Sequence, residues 1–307
     1  MNVPESYFRS EEREGFCVEE IMKRYWACTM DIVQHIDRIC KKYGLTYYAD
    51  WGTLLGAVRH NGYIPWDDDI DLALKRKDYQ KLVSVLPEEL PKEYLINTCF
   101  SNPEHKEFFT GITDGSVLNL SKEYLARHHQ CPFVAIIDIF PLDYLPRNEQ
   151  EAAIVKELFI LIWETVTKIQ HGEPQEKIEK SVVEVETYLK VSIDRSKPLI
   201  SQLWRYASLL AMSYTEEDGD YLTQWCSYVN RHEKFKLKKE WYEEAIYLPF
   251  EYMQMPVPNG YDEILKLMYG ESYMIPVREK SGHDYPAFKD QLELLRNKVK
   301  ELKELEK

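Results

Sequence analysis

The chain has 307 residues, 44% hydrophobic and 30% charged, which is typical of a globular protein with one large or two modest domains. A net charge of −13 without a dense Lys/Arg run argues against binding of a nucleic-acid polymer. Six cysteines without a CxxC pair argue against a structural zinc site and a disulfide framework. Because the longest apolar run is residues 158–163 and the N-terminus is polar, we predict a cytoplasmic protein without a transmembrane segment.

The first predicted elements are a helix, a strand and a second helix. Apolar and aromatic residues recur at helical spacing over residues 18–43, and Gly44 supplies the stop. A short aromatic strand is predicted at residues 45–50. Thr53 is the candidate N-cap of the next helix, which the Asn61-Gly62 turn would end.

An acidic strand is predicted at residues 69–74 by the alternation of its side chains. Asp69 and Asp71 point to one face, whereas the apolar residues between and after them point to the other. The D-x-D spacing therefore aims two carboxylates at the same side while the apolar face anchors the strand in a core.

The following elements complete the predicted sheet. A helix at residues 77–86 precedes strands at 94–100 and 107–115. The strand at residues 133–140 is apolar except for Asp138, which indicates a buried position in the sheet.

The pattern becomes helical beyond residue 146. Segments 148–170, 174–191 and 197–214 show helical periodicity without a strong strand signal. We therefore predict a core over residues 1–146 and a helical subdomain over residues 147–245.

Residues 246–307 are predicted to return to the core and to end in a C-terminal helix. A strand, a proline-rich turn and a short helix are expected first. In the tail, Leu292, Leu295, Val299 and Leu302 follow one another at alternating gaps of three and four. Such a stripe fits packing against the protein's own body or another surface, or dimerisation.

An acidic cluster is the strongest chemical signal. Its members are Asp67, Asp68, Asp69 and Asp71, together with Asp138. Each alone fits a structural role, as a turn residue or as the partner of an arginine. Together, such closely spaced like charges cost free energy unless a cation is bound. Same-face carboxylates on one strand and a third on another suit Mg²⁺ or Mn²⁺, which also take phosphate oxygens. We therefore predict a divalent-metal site for phosphoryl transfer.

A candidate phosphate-binding turn lies upstream of the cluster. Gly52 and Thr53 stand where the predicted strand passes into the helix. Glycine allows close approach of the backbone, and a helix start offers free N–H groups to an anion.

The stretch YYADWGTLLGAVRHNGYIPWDDDIDLAL resembles the signature of the LicD/fukutin-related phosphotransferases, which have the nucleotidyltransferase fold. The superfamily pattern of a Gly-Gly/Ser turn, D-x-D and a later acidic residue maps onto Gly52-Thr53, Asp69/Asp71 and Asp138. Thr53 replaces the usual serine. The stretch LPFEYMQMPVPNGYDEILKLMYG also resembles the family, and the resemblance covers about residues 27–143 and 248–283.

The resemblance implies both a fold and an activity. The fold is α+β, a nucleotidyltransferase-like mixed sheet flanked by helices, with an additional helical subdomain. The activity is transfer of phosphocholine from CDP-choline to a sugar hydroxyl of lipopolysaccharide, teichoic acid or another surface glycan, with release of CMP. Relatives transfer ribitol phosphate or glycerol phosphate from CDP-linked donors. A lipid-linked acceptor would bring peripheral contact with a membrane, and residues 147–245 are the expected place for acceptor choice.

The resemblance also assigns roles at the predicted site. Asp69 and Asp71 should bind the metal, and Asp138 should complete the site and help deprotonate the acceptor hydroxyl. Gly52 and Thr53 should contact the donor phosphate.

Further substrate-binding candidates are cationic, acidic or aromatic. Arg59 and His60 could neutralise phosphate oxygens, although Arg59 could instead pair with Asp67 or Asp68. Asp68 is itself a substrate-binding candidate.

The ring of Trp66 could form one side of the site and bind a quaternary ammonium on its face, or Trp66 could belong to the core. Lys280 and His283 could reach the phosphates, or they could lie in an ordinary exposed loop.

Two other functions stay open at this stage. A nucleotidyltransferase would release pyrophosphate instead of CMP. A binding protein without catalysis would have little reason to keep all three carboxylates, because unpaired buried charges are costly.

Overall fold

The computed structural model describes residues 3–230, 235–278 and 285–305. The helices of these residues are α1 (Glu20–Tyr43), α2 (Trp51–Arg59), α3 (Arg76–Glu89), α4 (Lys122–Arg127), α5 (Glu149–Gln170), α6 (Gln175–Leu189), α7 (Leu199–Ala211), α8 (Trp225–Asn230), α9 (Tyr261–Tyr269) and α10 (Lys289–Leu305). The strands are β1 (Glu11–Arg13), β2 (Phe16–Val18), β3 (Tyr48–Ala49), β4 (Asp71–Lys75), β5 (Leu95–Asn97), β6 (Thr110–Thr113), β7 (Ile136–Leu145), β8 (Tyr221–Thr223), β9 (Leu237–Lys238), β10 (Ala245–Phe250) and β11 (Met253–Pro258).

A mixed sheet forms the centre of the fold. Its strand order is β3-β4-β7-β6-β5, and β8 and β9 extend it from the far end of β7. Strands β4 and β7 are parallel, whereas the other pairs are antiparallel. Helices α1 and α3 contact these central strands, and α2 contacts β4. The predicted α+β fold with a mixed sheet flanked by helices is confirmed.

Helix α1 supplies much of the core. It ends as predicted at Gly44, which adopts the left-handed conformation with φ 66°. Trp26 is fully buried and stacks on Tyr63, with ring centroids 4.4 Å apart. Its indole Nε1 donates a hydrogen bond to the backbone oxygen of Asp67 at 3.1 Å. The helix therefore fixes the backbone at the start of the acidic cluster.

The range 147–245 contains the three predicted helices but is not purely helical. Helices α5, α6 and α7 match the predictions, whereas the short strands β8 and β9 were missed, and they join the central sheet. Phe108, next to β6, packs edge-to-face against Phe159 of α5 at 5.2 Å, so the helical range shares one core with the sheet. The domain division at residues 147 and 245 stays a prediction.

A buried ion pair also joins this range to the sheet. Arg76 at the start of α3 donates two hydrogen bonds to Asp143 on β7, at 2.6 and 2.8 Å, and a third to Ser208 of α7 at 3.2 Å. Both charged side chains are almost fully buried. Such a pair specifies one arrangement of the three elements, because each charge would be costly to bury alone.

The proline-rich stretch after residue 250 is a strand, which corrects the predicted turn. Residues Met253–Pro258 form β11 and pair with β10, and α9 follows as predicted. The N-terminal hairpin of β1 and β2 was not predicted. Arg13 of this hairpin forms a bidentate ion pair with Glu251, at 2.5 and 3.0 Å. The two hairpins are therefore tied together.

The C-terminal helix α10 is present, and its apolar stripe is only partly covered. Leu292 packs against the core, whereas Val299 is 43% exposed. The side chain of Leu302 lies outside the described residues. Dimerisation through this helix stays a prediction. In the described ranges, every helix is too short or too polar to cross a bilayer.

Asp114, after β6, is expected to make the stability of the protein depend on pH. It is 2% exposed, Oδ1 accepts a hydrogen bond from the backbone N of Ala135, and burial raises its pKa to about 7. In the unfolded chain the Asp114 carboxyl ionises near pH 4. The contribution of the protonated Asp114 to the free energy of unfolding is therefore complete below pH 4 and is lost as the pH rises through 7. Asp114→Asn should therefore gain about 2–4 kcal/mol relative to the native protein between pH 4 and pH 8.

Urea unfolding of both proteins at several pH values measures this difference. The matched control is Asp290→Asn, which removes an exposed charge on α10. A difference between Asp114→Asn and the native protein that does not change with pH would show that Asp114 ionises normally in the fold.

Candidate functional site

Two predicted carboxylates meet on the central pair of parallel strands. Asp71 at the start of β4 lies directly opposite Asp138 on β7 in the strand register. On the other side of β7, Asp138 is opposite Gly111 of β6, where a side chain would lie 3.6 Å from Oδ1 of Asp138. A Cβ at Gly111 would thus be in ordinary van der Waals contact with this carboxylate.

Asp69 lies just before the strand, because β4 begins at Asp71 and not at residue 69 as predicted. Its negative charge still affects the pKa of Asp71. Burial raises the pKa of Asp71 well above its ordinary value, and the carboxylates of Asp69, Asp138, Asp50 and Asp67 raise it further. Several negative charges thus converge on one point, which is the electrostatic setting that a divalent cation relieves.

The described residues contain no group of three His, Cys, Asp or Glu side chains already arranged to hold a metal ion. Magnesium commonly takes one or two protein carboxylates and fills its remaining positions with water and substrate phosphate. Adjacent Asp71 and Asp138, with Asp69 nearby, fit that kind of site better than a metal cage built from protein alone.

Thr53 supports Asp71 and does not cap the helix. Its hydroxyl accepts a hydrogen bond from the backbone N of Asp71 at 2.9 Å. The predicted N-cap is wrong, because Asp50 occupies that position and accepts from the backbone N of Trp51 at 3.0 Å. The first turn of α2 is thereby joined to the start of the acidic strand.

Gly52 provides room for a carboxylate. A methyl group at this position would collide with Oδ2 of Asp67, whose Oδ1 accepts a hydrogen bond from the backbone N of Asp68 at 3.1 Å. The sequence suggested that Gly52 approaches a donor phosphate. The structure adds that this glycine lets Asp67 stand against the start of α2.

Hydrogen bonds hold the turn before α2, and the sequence did not predict them. They join Asp50, Trp51 and Gln224. Gln224 donates a hydrogen bond to Asp50 and accepts one from Trp51 Nε1 at 3.0 Å. Burial raises the pKa of Asp50 to about 6. Trp51 has a φ of 42°, which is a strained value for a bulky residue. The turn before α2 is thus held in one conformation by groups from distant segments.

Arg59 and His60 point to other segments of the chain. Arg59 donates a hydrogen bond to the backbone oxygen of Tyr273 at 2.7 Å, and no ion pair joins it to Asp67 or Asp68 among the described residues. His60 Nε2 lies 3.2 Å from Oε2 of Glu14. Burial lowers the pKa of His60, which favours the neutral ring at pH 7. The alternative in which Arg59 pairs with Asp67 or Asp68 is thus not seen in the described part of the chain, and the roles of Arg59 and His60 at the donor phosphate stay predictions.

Trp66 and Asp68 contact the segments around the site. The ring of Trp66 lies edge-to-face with Phe16 of β2, with centroids 6.3 Å apart. Asp68 is fully buried, and its Oδ2 accepts a hydrogen bond from the backbone N of Ala287 at 2.6 Å. The predictions for Lys280 and His283 lie outside the described residues.

The sequence is similar to known proteins over most of its length. Residues 44–113 match the LicD/FKTN/FKRP nucleotidyltransferase domain. The chain is 27% identical over 264 residues to the lipopolysaccharide cholinephosphotransferase LicD of Haemophilus influenzae, an alignment that covers 81% of this chain and 90% of that protein. An uncharacterized protein of Rickettsia prowazekii is 39% identical over 57 residues, which is 19% of this chain and 21% of that protein. The domain match contains Asp69 and Asp71 and ends before Asp138.

Proposed function

This chain belongs to the LicD family, and on that premise we propose that it is a cholinephosphotransferase. It takes phosphocholine from CDP-choline, transfers it to a sugar hydroxyl of a surface glycan such as lipopolysaccharide, and releases CMP. The observation that carries the proposal is the adjacency of Asp71 and Asp138 on parallel strands beside the first turn of α2.

The reaction forms one P–O bond and breaks another. The sugar oxygen bonds to the phosphorus that carries choline, and the bond from this phosphorus to the bridging oxygen breaks, so that CMP leaves. Asp138 would accept the hydroxyl proton, a role that contributes about 10²–10⁴-fold in rate. Thr53 holds the backbone of Asp71 and can donate its own hydroxyl hydrogen to a phosphate oxygen.

The negative charges around Asp71 fit a divalent cation, and Asp69, Asp71 and Asp138 are the residues that would hold it. When bound, Mg²⁺ or Mn²⁺ would neutralise charge on the diphosphate and stabilise the departing CMP. The start of α2 adds the partial positive charge of its helix dipole at the same place.

A screen of CDP-linked donors with Mg²⁺ or Mn²⁺ and candidate sugars tests the proposal. We expect CDP-choline to give CMP and a phosphocholine-modified glycan. Release of CMP only from CDP-ribitol or CDP-glycerol would change the donor, whereas release of pyrophosphate from a nucleoside triphosphate would indicate nucleotidyl transfer. Binding of the donor without any product would indicate a protein that has lost catalysis.

A further inference from the structure

A cavity lies at Trp66, the residue before the acidic cluster. Its volume is about 420 Å³, within the range of small-molecule sites. The lining residues are Glu14, Gly15, Phe16, Trp66, Pro276 and Arg278. They come from the N-terminal hairpin, from the residue preceding Asp67, and from the segment after α9.

The wall of this cavity is connected to the acidic cluster. Tyr285 packs edge-to-face against Phe16, with ring centroids 5.8 Å apart. Two residues later, the backbone N of Ala287 donates the hydrogen bond to Asp68. Trp66 is itself the residue before Asp67. The cavity wall is thus connected, through Trp66 and Ala287, to the segment that carries Asp67 and Asp68.

Glu14, in the turn of the N-terminal hairpin, brings a carboxylate to the cavity. The backbone of Glu14 has an unfavourable conformation. Glu14 and Gly15 form the two-residue turn between β1 and β2, with φ values of 51° and 72°. Asparagine, aspartate or glycine is preferred at the first of these positions. The Glu14 side chain is 38% exposed and lies beside His60. Its Oε2 lies 3.2 Å from Nε2 of His60.

The aromatic walls suit cations. The Phe16 and Trp66 rings meet at 73° and form a corner. The guanidinium of Arg278 already lies over the Phe16 ring, 4.6 Å from its centroid. The cavity therefore combines a carboxylate, a guanidinium and an indole. A zwitterion with one phosphate and one quaternary ammonium has the complementary set of groups.

We propose that this cavity holds the phosphocholine part of the donor, with the trimethylammonium against Trp66 and Glu14 and the phosphate at Arg278. The assignment rests on the proposed function and adds its specificity-determining residues. A trimethylammonium has no N–H to donate and is bound by an aromatic face and a carboxylate. A glycerol or ribitol group would lose both interactions, and an ethanolamine group would stay better hydrated.

Binding of phosphocholine alone, measured by calorimetry or by NMR of its N-methyl groups, tests the cavity without requiring transfer. We expect Glu14→Gln and Trp66→Leu each to weaken phosphocholine binding about 5- to 30-fold, and Trp66→Phe to weaken it less. The matched control is Glu12→Gln, which removes an exposed carboxylate of the same hairpin. Thermal unfolding checks that Trp66→Leu is folded, and Glu14→Gln decides the outcome if it is not.

Phosphoethanolamine and glycerol phosphate complete the test. We expect both to bind more weakly than phosphocholine to the native protein, and the preference to shrink in Glu14→Gln. Equal binding of the three ligands, or unchanged phosphocholine binding in both variants, would overturn the assignment even if the enzyme releases CMP from CDP-choline. Selective phosphocholine binding that the variants weaken, without any transfer, would support the cavity and reject only the proposed function.

Discussion

Asp71→Asn is expected to reduce CMP release from CDP-choline by at least about 10⁴-fold while the protein stays folded. Asp71 faces Asp138 across the parallel strands, and the neighbouring carboxylates concentrate negative charge on it. The amide cannot supply that charge to a divalent cation. Because burial and these neighbours already disfavour the ionised form, the neutral amide should leave the stability of the metal-free protein unchanged or increased.

Asp220→Asn is the matched control for this change. Asp220 pairs with Arg147 beside β8, which joins the far end of β7, and both side chains are about half exposed. Loss of such a surface pair costs little stability, so CMP release should remain near the native rate. Native-like turnover by a folded Asp71→Asn protein would remove Asp71 from the chemistry.

Gly52→Ala is expected to reduce CMP release about 10²–10³-fold with little loss of stability. The added methyl group would collide with Oδ2 of Asp67, the end of a side chain that can rotate away. The chain should therefore fold, but with the Asp67 carboxylate displaced from the start of α2. Steady-state kinetics and thermal unfolding measured together separate the two effects.

Alanine substitutions of two other glycines serve as controls for Gly52→Ala. At Gly56 a methyl group would meet the backbone oxygen of Gly62, which cannot rotate away, so Gly56→Ala should lose about 1–3 kcal/mol of stability. At Gly115 the nearest atom would be 3.7 Å away in Val134, an ordinary contact, so Gly115→Ala should resemble the native protein. An active, stable Gly52→Ala protein would show that the position of Asp67 is unimportant for transfer.

The central strands could be predicted because their side-chain patterns are strong. Alternation placed Asp71 on the strand face opposite Ile70, Leu72 and Leu74, and the single charge in an apolar run identified Asp138. The resemblance implied that both residues share one site, and the strand register of the structure places them opposite each other. The strand begins two residues later than predicted, at Asp71.

The missed features depend on contacts between distant segments. Asp50 and Thr53 are both good capping residues, and Gln224, 174 residues after Asp50, is part of what holds Asp50 in the cap. Strands β8 and β9 have three and two residues, too few for a periodic signal. The first hairpin has Glu-Gly at its turn, which is a weak turn signal. The Arg59 contact with Tyr273 is equally invisible in local sequence.

Titration with Mn²⁺ in the presence of CDP-choline, followed by electron paramagnetic resonance, tests most directly whether the acidic cluster holds a divalent ion. We expect the native protein to bind Mn²⁺, Asp71→Asn and Asp138→Asn to bind it at least about tenfold more weakly, and Asp220→Asn to match the native protein. Equal Mn²⁺ affinity in all four proteins would contradict a metal site at these carboxylates.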